Sequence, residues 1–265
     1  MTWFTIGIFE PLFNGLLYIQ KLLPGHDLGL AIILLTLLIK AILYLPSLSS
    51  IRASRQLQVL QPRLKEIQTL YKGDKEKLAQ AQMALYKESK VNPLASCLPL
   101  LIQIPFFIGL YQVFISGLKI DAHTSVLLPA TLKHVYPFLR TYYQSTPINT
   151  MFLGFINLST SHGIANIVLA VLAGGSQFWQ TKMLAAPSEP KIKEARDESM
   201  TSAMNKQMTY ILPLFTAYLA YKFPAGLALY WTTQSVLTVA QQYIFLKRHP
   251  LKPAVVQVSN DQPQH

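Results

Sequence analysis

Charge, cysteine and acidic residues are all scarce in this sequence. Only 13% of its 265 residues are charged, and 12 of them are acidic. An average soluble domain carries about 25% charged residues. The single cysteine, Cys97, excludes an internal disulfide framework. In addition, 51% of the residues are hydrophobic. A composition with so few charged and so many hydrophobic residues indicates a membrane protein.

The sequence also lacks the motifs of common catalytic and metal sites. Its six histidines are scattered and form no H-E-x-x-H pair. It has neither a G-x-S-x-G nucleophile elbow nor a phosphate-binding P-loop. Cys97 has no predicted base beside it, which favours an inert buried thiol over a nucleophile. We therefore predict that the protein is not an enzyme and needs no cofactor or metal.

One long apolar run carries a charge near its middle. Residues 28–48 contain a single formal charge, Lys40, and predict a transmembrane helix. A lysine at mid-bilayer costs about 2.5–3.5 kcal/mol on insertion scales. The distance from Lys40 to the end of the run is about 12 Å of helix, longer than a lysine stem. A wet cavity, a partner or a function for the charge is therefore favoured, with incomplete snorkelling as the alternative.

The remaining apolar segments complete an all-α, polytopic membrane protein with five transmembrane helices. Residues 1–27 are apolar but interrupted by polar side chains, which predicts an interfacial amphipathic helix with Phe9 and Phe13 at headgroup level. The core is predicted to span residues 28–246, before a disordered cytoplasmic tail at 247–265. The further predicted spans lie at about 94–118, 163–184, 204–221 and 225–246.

The segment 49–90 differs from the spans around it. It holds nine lysines and arginines, and its apolar residues recur at helical spacing. Lys72-Gly73-Asp74 breaks that pattern, which predicts a helical hairpin outside the hydrocarbon, with Pro62 kinking or restarting its first helix. A solvated cytoplasmic hairpin and a docking surface for other chains or ribosomes both fit.

Positive charge orients the predicted spans. The net charge is +11, which in a membrane protein sets topology rather than indicating nucleic-acid specificity. The hairpin, segment 185–206 and the tail hold most of the 23 basic residues. These parts are therefore predicted to be cytoplasmic, with the N-terminus outside. No arginine precedes Arg52, which argues against an organelle transit peptide.

Polar side chains in the spans form the candidate site. No acidic residue lies in any predicted span, so Lys40 has no obvious ion-pair partner. If the polar faces converge, they line a hydrophilic groove that attracts an anionic guest. For each glutamine or threonine taken singly, an ordinary helix–helix hydrogen bond is the competing interpretation. The candidate groove residues are Lys40, Thr36, Gln103, Gln177, Gln180, Trp231 and Gln234.

Motifs along nearly the whole chain resemble those of the YidC/Oxa/Alb family of membrane protein insertases. They occur before Lys40, in the hairpin, at the start of the second span and along the last span. They are LAIILLT at 30–36, LQP at 60–62, YKGD at 71–74, VNPL at 91–94, LPLLIQIP at 98–105, FPAGLALYW at 223–231 and QQ at 241–242.

This resemblance implies a five-span core with a groove open to the cytoplasm and to lipid. Lys40 occupies the position at which the family usually has arginine. Thr36 and Trp231 match groove positions, and Gln177 or Gln180 matches a groove glutamine. The resemblance implies a short bacterial form, which we expect to lack the large extracytoplasmic domain of Gram-negative members.

The implied function is nucleotide-independent insertion and folding of newly made membrane proteins in the bacterial inner membrane. Nascent membrane proteins and the lipid bilayer are the implied partners, and the ribosome and a general secretion channel are further candidates. Two alternatives remain: a small transporter or channel that uses Lys40 as an anion or proton site, and a non-transporting assembly factor. The absence of an internal repeat argues against the transporter.

Overall fold

Helices dominate the computed structural model, which describes residues 3–71, 73–92, 95, 98–121, 123–161, 163–184 and 207–249. The predicted helical class is confirmed for this part of the chain. Cys97, segment 185–206 and most of the predicted tail lie outside the described residues. The helices are α1 (Glu10–Leu22), α2 (Leu28–Ile42), α3 (Tyr44–Leu70), α4 (Lys75–Glu88), α5 (Leu98–Gln112), α6 (Pro129–Leu132), α7 (Pro137–Tyr143), α8 (Ile164–Leu184), α9 (Leu212–Lys222) and α10 (Ala225–Arg248).

Shorter elements extend or connect these helices. A 3₁₀ turn at Pro24–His26 joins α1 to α2. A small antiparallel hairpin pairs β1 (Met151–Phe152) with β2 (Ile156–Asn157), with Phe152 opposite Ile156. π-helical turns at Thr5–Phe9, Val113–Gly117 and Gln207–Ile211 adjoin α1, α5 and α9.

The predicted continuous helix over 28–48 is broken at Leu43. There α2 ends and α3 begins, and the two helices meet at a bend of 67°. Pro46 explains the break, because proline has no N–H to donate to the Ile42 carbonyl and its ring crowds that position. Among the described residues no single helix is long and apolar enough to cross a bilayer. Taken together as a bent pair, α2 and α3 have the length and the apolar composition needed to cross one.

The interfacial prediction assumed that the polar residues of α1 form a side that faces water. In the structure they do not form such a side. Asn14 is buried, and its Nδ2 donates to the His134 carbonyl at 2.9 Å while its Oδ1 accepts from Tyr136 N at 2.7 Å. Buried Gln20 donates to the Asn149 carbonyl at 3.0 Å. These side chains are polar because they satisfy the backbone of the 119–149 segment.

Two aromatic residues of the same region also differ from the prediction. Phe9 and Phe13 were expected at headgroup level, but both are buried in the core and their rings stack 5.7 Å apart. The segment around α1 packs against α2 and α5. Its apolar side therefore contributes to the protein interior.

Helix α8 lies between α9 and α10 and makes close contact with both. A Cβ atom on Gly174 would lie 2.8 Å from the Ala217 Cβ and 3.1 Å from the Pro213 carbonyl. A Cβ on the neighbouring Gly175 would have no atom within 4 Å. Of these two small residues, only Gly174 is needed for the close approach of α8 and α9.

The segment 49–90 forms two helices with a turn between them, as predicted. Helix α3 continues through Pro62 instead of restarting there. Asp74 caps α4 by accepting from Lys77 N at 3.0 Å, and Gly73 adopts a φ of 94° in the turn. The backbone N–H of Lys77, followed by its side chain, lowers the pKa of the exposed Asp74 carboxyl.

The β1–β2 hairpin joins the N-terminal ends of α2 and α10. Asp27 accepts from Leu30 N at 3.0 Å through Oδ1 and from Leu153 N at 2.7 Å through Oδ2. On the other side, Gly226 N donates to the Leu158 carbonyl at 3.0 Å. The Asp27 carboxylate thus both caps α2 and anchors the hairpin. The hairpin in turn fixes the N-terminal ends of α2 and α10 relative to each other.

We expect Asp27→Ala to lower the free energy of unfolding by about 2 kcal/mol, because it removes an N-cap and leaves the Leu153 N–H without its acceptor. Asp27→Asn is expected to cost about half as much, since asparagine is a good cap but has only one acceptor oxygen. Thermal unfolding of both variants in detergent micelles measures the difference. Wild-type stability in Asp27→Ala would contradict this role.

Candidate functional site

The candidate site lies where α2, α3, α5 and α8 meet α10. Polar residues recur along α10 at 234, 235, 238, 241 and 242, which places these five on one side of the helix. Ser235, Thr238 and Gln242 are buried. Hydrogen bonds join this side of α10 to each of the four neighbouring helices.

Lys40 bonds to the middle of this polar side. Its Nζ donates to the Thr238 Oγ1 at 2.9 Å, and that hydroxyl donates to the Gln234 carbonyl at 2.8 Å. Within the described part of the chain, Lys40 makes no ion pair with a carboxylate. Its charge is therefore held by a neutral hydroxyl across the α2–α10 contact.

Gln103 and Gln234 bond directly to each other. Gln234 Nε2 donates to Gln103 Oε1 at 3.0 Å. Gln103 Nε2 in turn donates to the hydroxyl of Tyr230, a residue that is 2% exposed. The structure thus connects α5 to α10 through two of the predicted residues and a buried tyrosine.

Of the two candidate glutamines on α8, only Gln177 bonds to α10 among the described residues. Its Oε1 accepts from Ser235 Oγ at 3.2 Å. Gln180, about one turn further along α8, is half-buried. The Gln177 contact is a helix–helix hydrogen bond of the kind that competes with a groove role, so the groove roles of both glutamines stay predictions.

Thr36 and Trp231 lie beside this network without bonding into it. The Thr36 hydroxyl is buried and donates to the Ile32 carbonyl of its own helix at 2.6 Å. The half-buried Trp231 ring packs 5.0 Å from that of Phe107 on α5. Their roles in the groove stay predictions.

Sequence reasoning missed several polar residues that the structure brings into the network. Thr238 is the partner of Lys40, Ser235 is that of Gln177, and Ser47 Oγ donates to Gln241 Oε1 at 2.8 Å. The spacing of polar residues along α10 was the available signal. The sequence could not identify their partners, because these lie on helices that are distant in the chain.

Apolar side chains cover the outer surface of the same helices. So many exposed large apolar side chains, together with a cluster of buried polar groups, are unusual for a soluble protein. The apolar residues that are at least half-exposed include Leu38 and Ile42 on α2, Leu101 on α5, Ile167, Val168, Val171 and Leu172 on α8, Leu214, Phe215 and Tyr218 on α9, and Val236, Tyr243 and Ile244 on α10.

The fold and this distribution together define an α-helical membrane protein in which a cluster of buried polar side chains lies beside an apolar core. Residues 18–252 match the family model described as 60Kd inner membrane protein. The chain belongs to this family, which is the YidC/Oxa/Alb family that its motifs predicted.

Named relatives agree with this assignment. The chain is 35% identical over 221 residues to the "Membrane protein insertase YidC" of Francisella tularensis subsp. novicida (strain U112). Relatives of the same name from subsp. tularensis (strain WY96-3418) and subsp. holarctica (strain LVS) match to the same extent. The match covers 83% of this chain but 33% of the relative, so the chain spans about a third of the length of these proteins.

Proposed function

We propose that the protein inserts newly made membrane proteins into the bacterial inner membrane and helps them to fold. The single observation that carries this proposal is the position of Lys40, whose Nζ is held only 2.9 Å from a neutral threonine hydroxyl between two helices with apolar outer faces. A cation with a neutral partner can exchange it for an anionic guest at little cost. The relatives named as insertases support the same function.

In the proposed mechanism, a short acidic extracytoplasmic segment of the substrate enters the groove and approaches Lys40. The positive charge lowers the cost of moving that polar segment partway across the bilayer. The apolar helix of the substrate then moves along α2 and α10 into lipid. Burial of apolar groups, about 0.8 kcal/mol per CH₂, drives this step without nucleotide hydrolysis.

The proposed arrangement is the five-span topology with the N-terminus outside and the α3–α4 hairpin in the cytoplasm. In this topology the Lys40 end of α2 faces the cytoplasmic half of the protein. The groove comprises Lys40, Thr36, Gln103, Gln177, Gln180, Trp231 and Gln234. The ribosome and a general secretion channel remain proposed partners, whereas the transporter alternative has no comparable support from the relatives.

Reconstitution into pure lipid vesicles tests the function. We expect the purified protein to increase protease-protected insertion of a single-span substrate about tenfold over protein-free vesicles. Removal of nucleotide after synthesis of the substrate should leave that insertion unchanged. Equal insertion with and without the protein would refute the insertase proposal.

A further inference from the structure

Three polar residues of α10 form a line that crosses the candidate site. We call Gln234, Thr238 and Gln241 the α10 stripe; they lie at positions i, i+4 and i+7 and share one face. Gln234 and Gln241 are about 10.5 Å apart along the helix axis at 1.5 Å per residue. Each member contacts a different helix: α5 through Gln103, α2 through Lys40 and α3 through Ser47.

Each of the two glutamines of the stripe forms a hydrogen bond to the described residues through only one of the two polar atoms of its side-chain amide. Gln234 donates to Gln103 through Nε2, but its shielded Oε1 has no partner among the described residues. Gln241 accepts from Ser47 through Oε1, but its shielded Nε2 likewise has none there. A shielded polar group without a partner is destabilising, because it has lost its hydrogen bonds to water. The stripe therefore carries one unused acceptor and one unused donor at opposite ends.

We propose that the α10 stripe binds the main chain of an extended polypeptide segment. A peptide backbone offers both an N–H for Gln234 Oε1 and a C=O for Gln241 Nε2. At 3.2–3.4 Å per residue, about three extended residues match the axial separation of about 10.5 Å between the two glutamines. Lys40, bonded to the stripe at Thr238, then lies beside the bound segment and can accept an acidic side chain.

Other guests match these groups less well. A carboxylate or a lipid phosphate diester only accepts hydrogen bonds, so it cannot donate to Gln234 Oε1. A helical segment already uses its backbone N–H and C=O groups internally. A segment that is not yet helical keeps both its N–H and its C=O groups available for the two ends of the stripe.

This proposal rests on the proposed function and names the form in which the substrate is held. Main-chain recognition is independent of side-chain sequence, so it suits a protein that handles many different substrates. The segment must leave the stripe when it forms a helix, because its backbone groups are then consumed. Binding of the extended segment and release of the helix are thereby coupled.

Peptide binding to the full-length protein in phosphatidylethanolamine–phosphatidylglycerol nanodiscs tests the proposal. The probe is a short acidic peptide followed by fluorescence anisotropy, compared with a version in scrambled order and one in which consecutive amides are replaced by esters. Scrambling should change the Kd by less than about twofold, whereas the esters, which lack N–H donors, should raise it at least about fivefold.

Leucine variants locate the effect on the stripe. In Gln234→Leu, which lacks the acceptor for a backbone N–H, the original peptide should bind as weakly as the ester version, and the difference between the two should disappear. Gln80→Leu is the matched control, because Gln80 is an exposed glutamine of α4 that lies outside the candidate site and bonds to Glu76 of its own helix. It should keep the full difference between amide and ester.

Three outcomes would overturn main-chain binding: equal affinity for amide and ester peptides, a loss of affinity on scrambling as large as that with the esters, or no binding of the original peptide. Insertion into vesicles is measured separately. If the peptide binds with the predicted ester effect but the protein does not insert substrates, the α10 stripe remains supported as a peptide site. Only the insertase proposal is then refuted.

Discussion

Lys40→Ala is expected to lower insertion of a substrate with an acidic extracytoplasmic segment by about tenfold, a change of about 1.4 kcal/mol in the barrier. Two unit charges at 4 Å attract by about 4 kcal/mol at an effective dielectric constant of 20, and water in a groove reduces that value. Lys40→Arg keeps the charge and should stay within about twofold of wild type. Protease protection in reconstituted vesicles measures all three proteins.

Lys21→Ala is the matched control for the loss of a lysine. Lys21 lies outside the candidate site, with its Nζ 4.7 Å from the centre of the Tyr142 ring. Its removal should leave insertion at the wild-type level. A second substrate with a neutral segment should be insensitive to Lys40→Ala, because the charge then has nothing to attract. Wild-type insertion of the acidic substrate by Lys40→Ala would remove Lys40 from the mechanism.

Gly174→Leu is expected to destabilise the fold by about 1–3 kcal/mol, the usual cost of overpacking a tight contact. Even a Cβ at this position would lie 2.8 Å from the Ala217 Cβ and 3.1 Å from a backbone carbonyl. Helices α8 and α9 would have to separate. Denaturant unfolding in detergent micelles, followed by circular dichroism, measures the change.

Gly175→Leu is the control for that substitution, since a Cβ there has no atom within 4 Å. It should be neutral or gain up to about 1 kcal/mol, because leucine has a higher helix propensity than glycine. If both variants lose equal stability, the cause lies in the helix itself and not in the α8–α9 contact.

Local patterns in the sequence were sufficient for the helical class and for the family. The runs around α2, α8 and α10 are long and apolar, and such runs favour helices. The hairpin turn at residues 71–74 follows from a glycine with positive φ and an aspartate cap, both encoded within four residues. The bend at Leu43 could also have been predicted, because Pro46 lies within the apolar run. The length of that run favoured a continuous helix instead.

The polar residues of α1 show where such reasoning ends. Asn14 and Gln20 interrupt an apolar segment, and from the sequence an interruption of this kind indicates a side that faces water. Besides local bonds to the Glu10 and His26 carbonyls, their hydrogen-bond partners include backbone groups 120 or more residues away along the chain. Nothing within a few turns of helix distinguishes a polar residue that faces water from one that satisfies a distant carbonyl.

The sequence by itself determined that this chain is a helical protein of the YidC/Oxa/Alb family with one lysine near the middle of a long apolar run. Only the tertiary structure decided what that lysine contacts: Thr238, which is 198 residues further along the chain. Hydrophobicity and helical periodicity are properties of neighbouring residues, so they can be read locally. The partner of Lys40 depends instead on how α2 and α10 are rotated and aligned against each other, which is set by packing across the whole helical assembly.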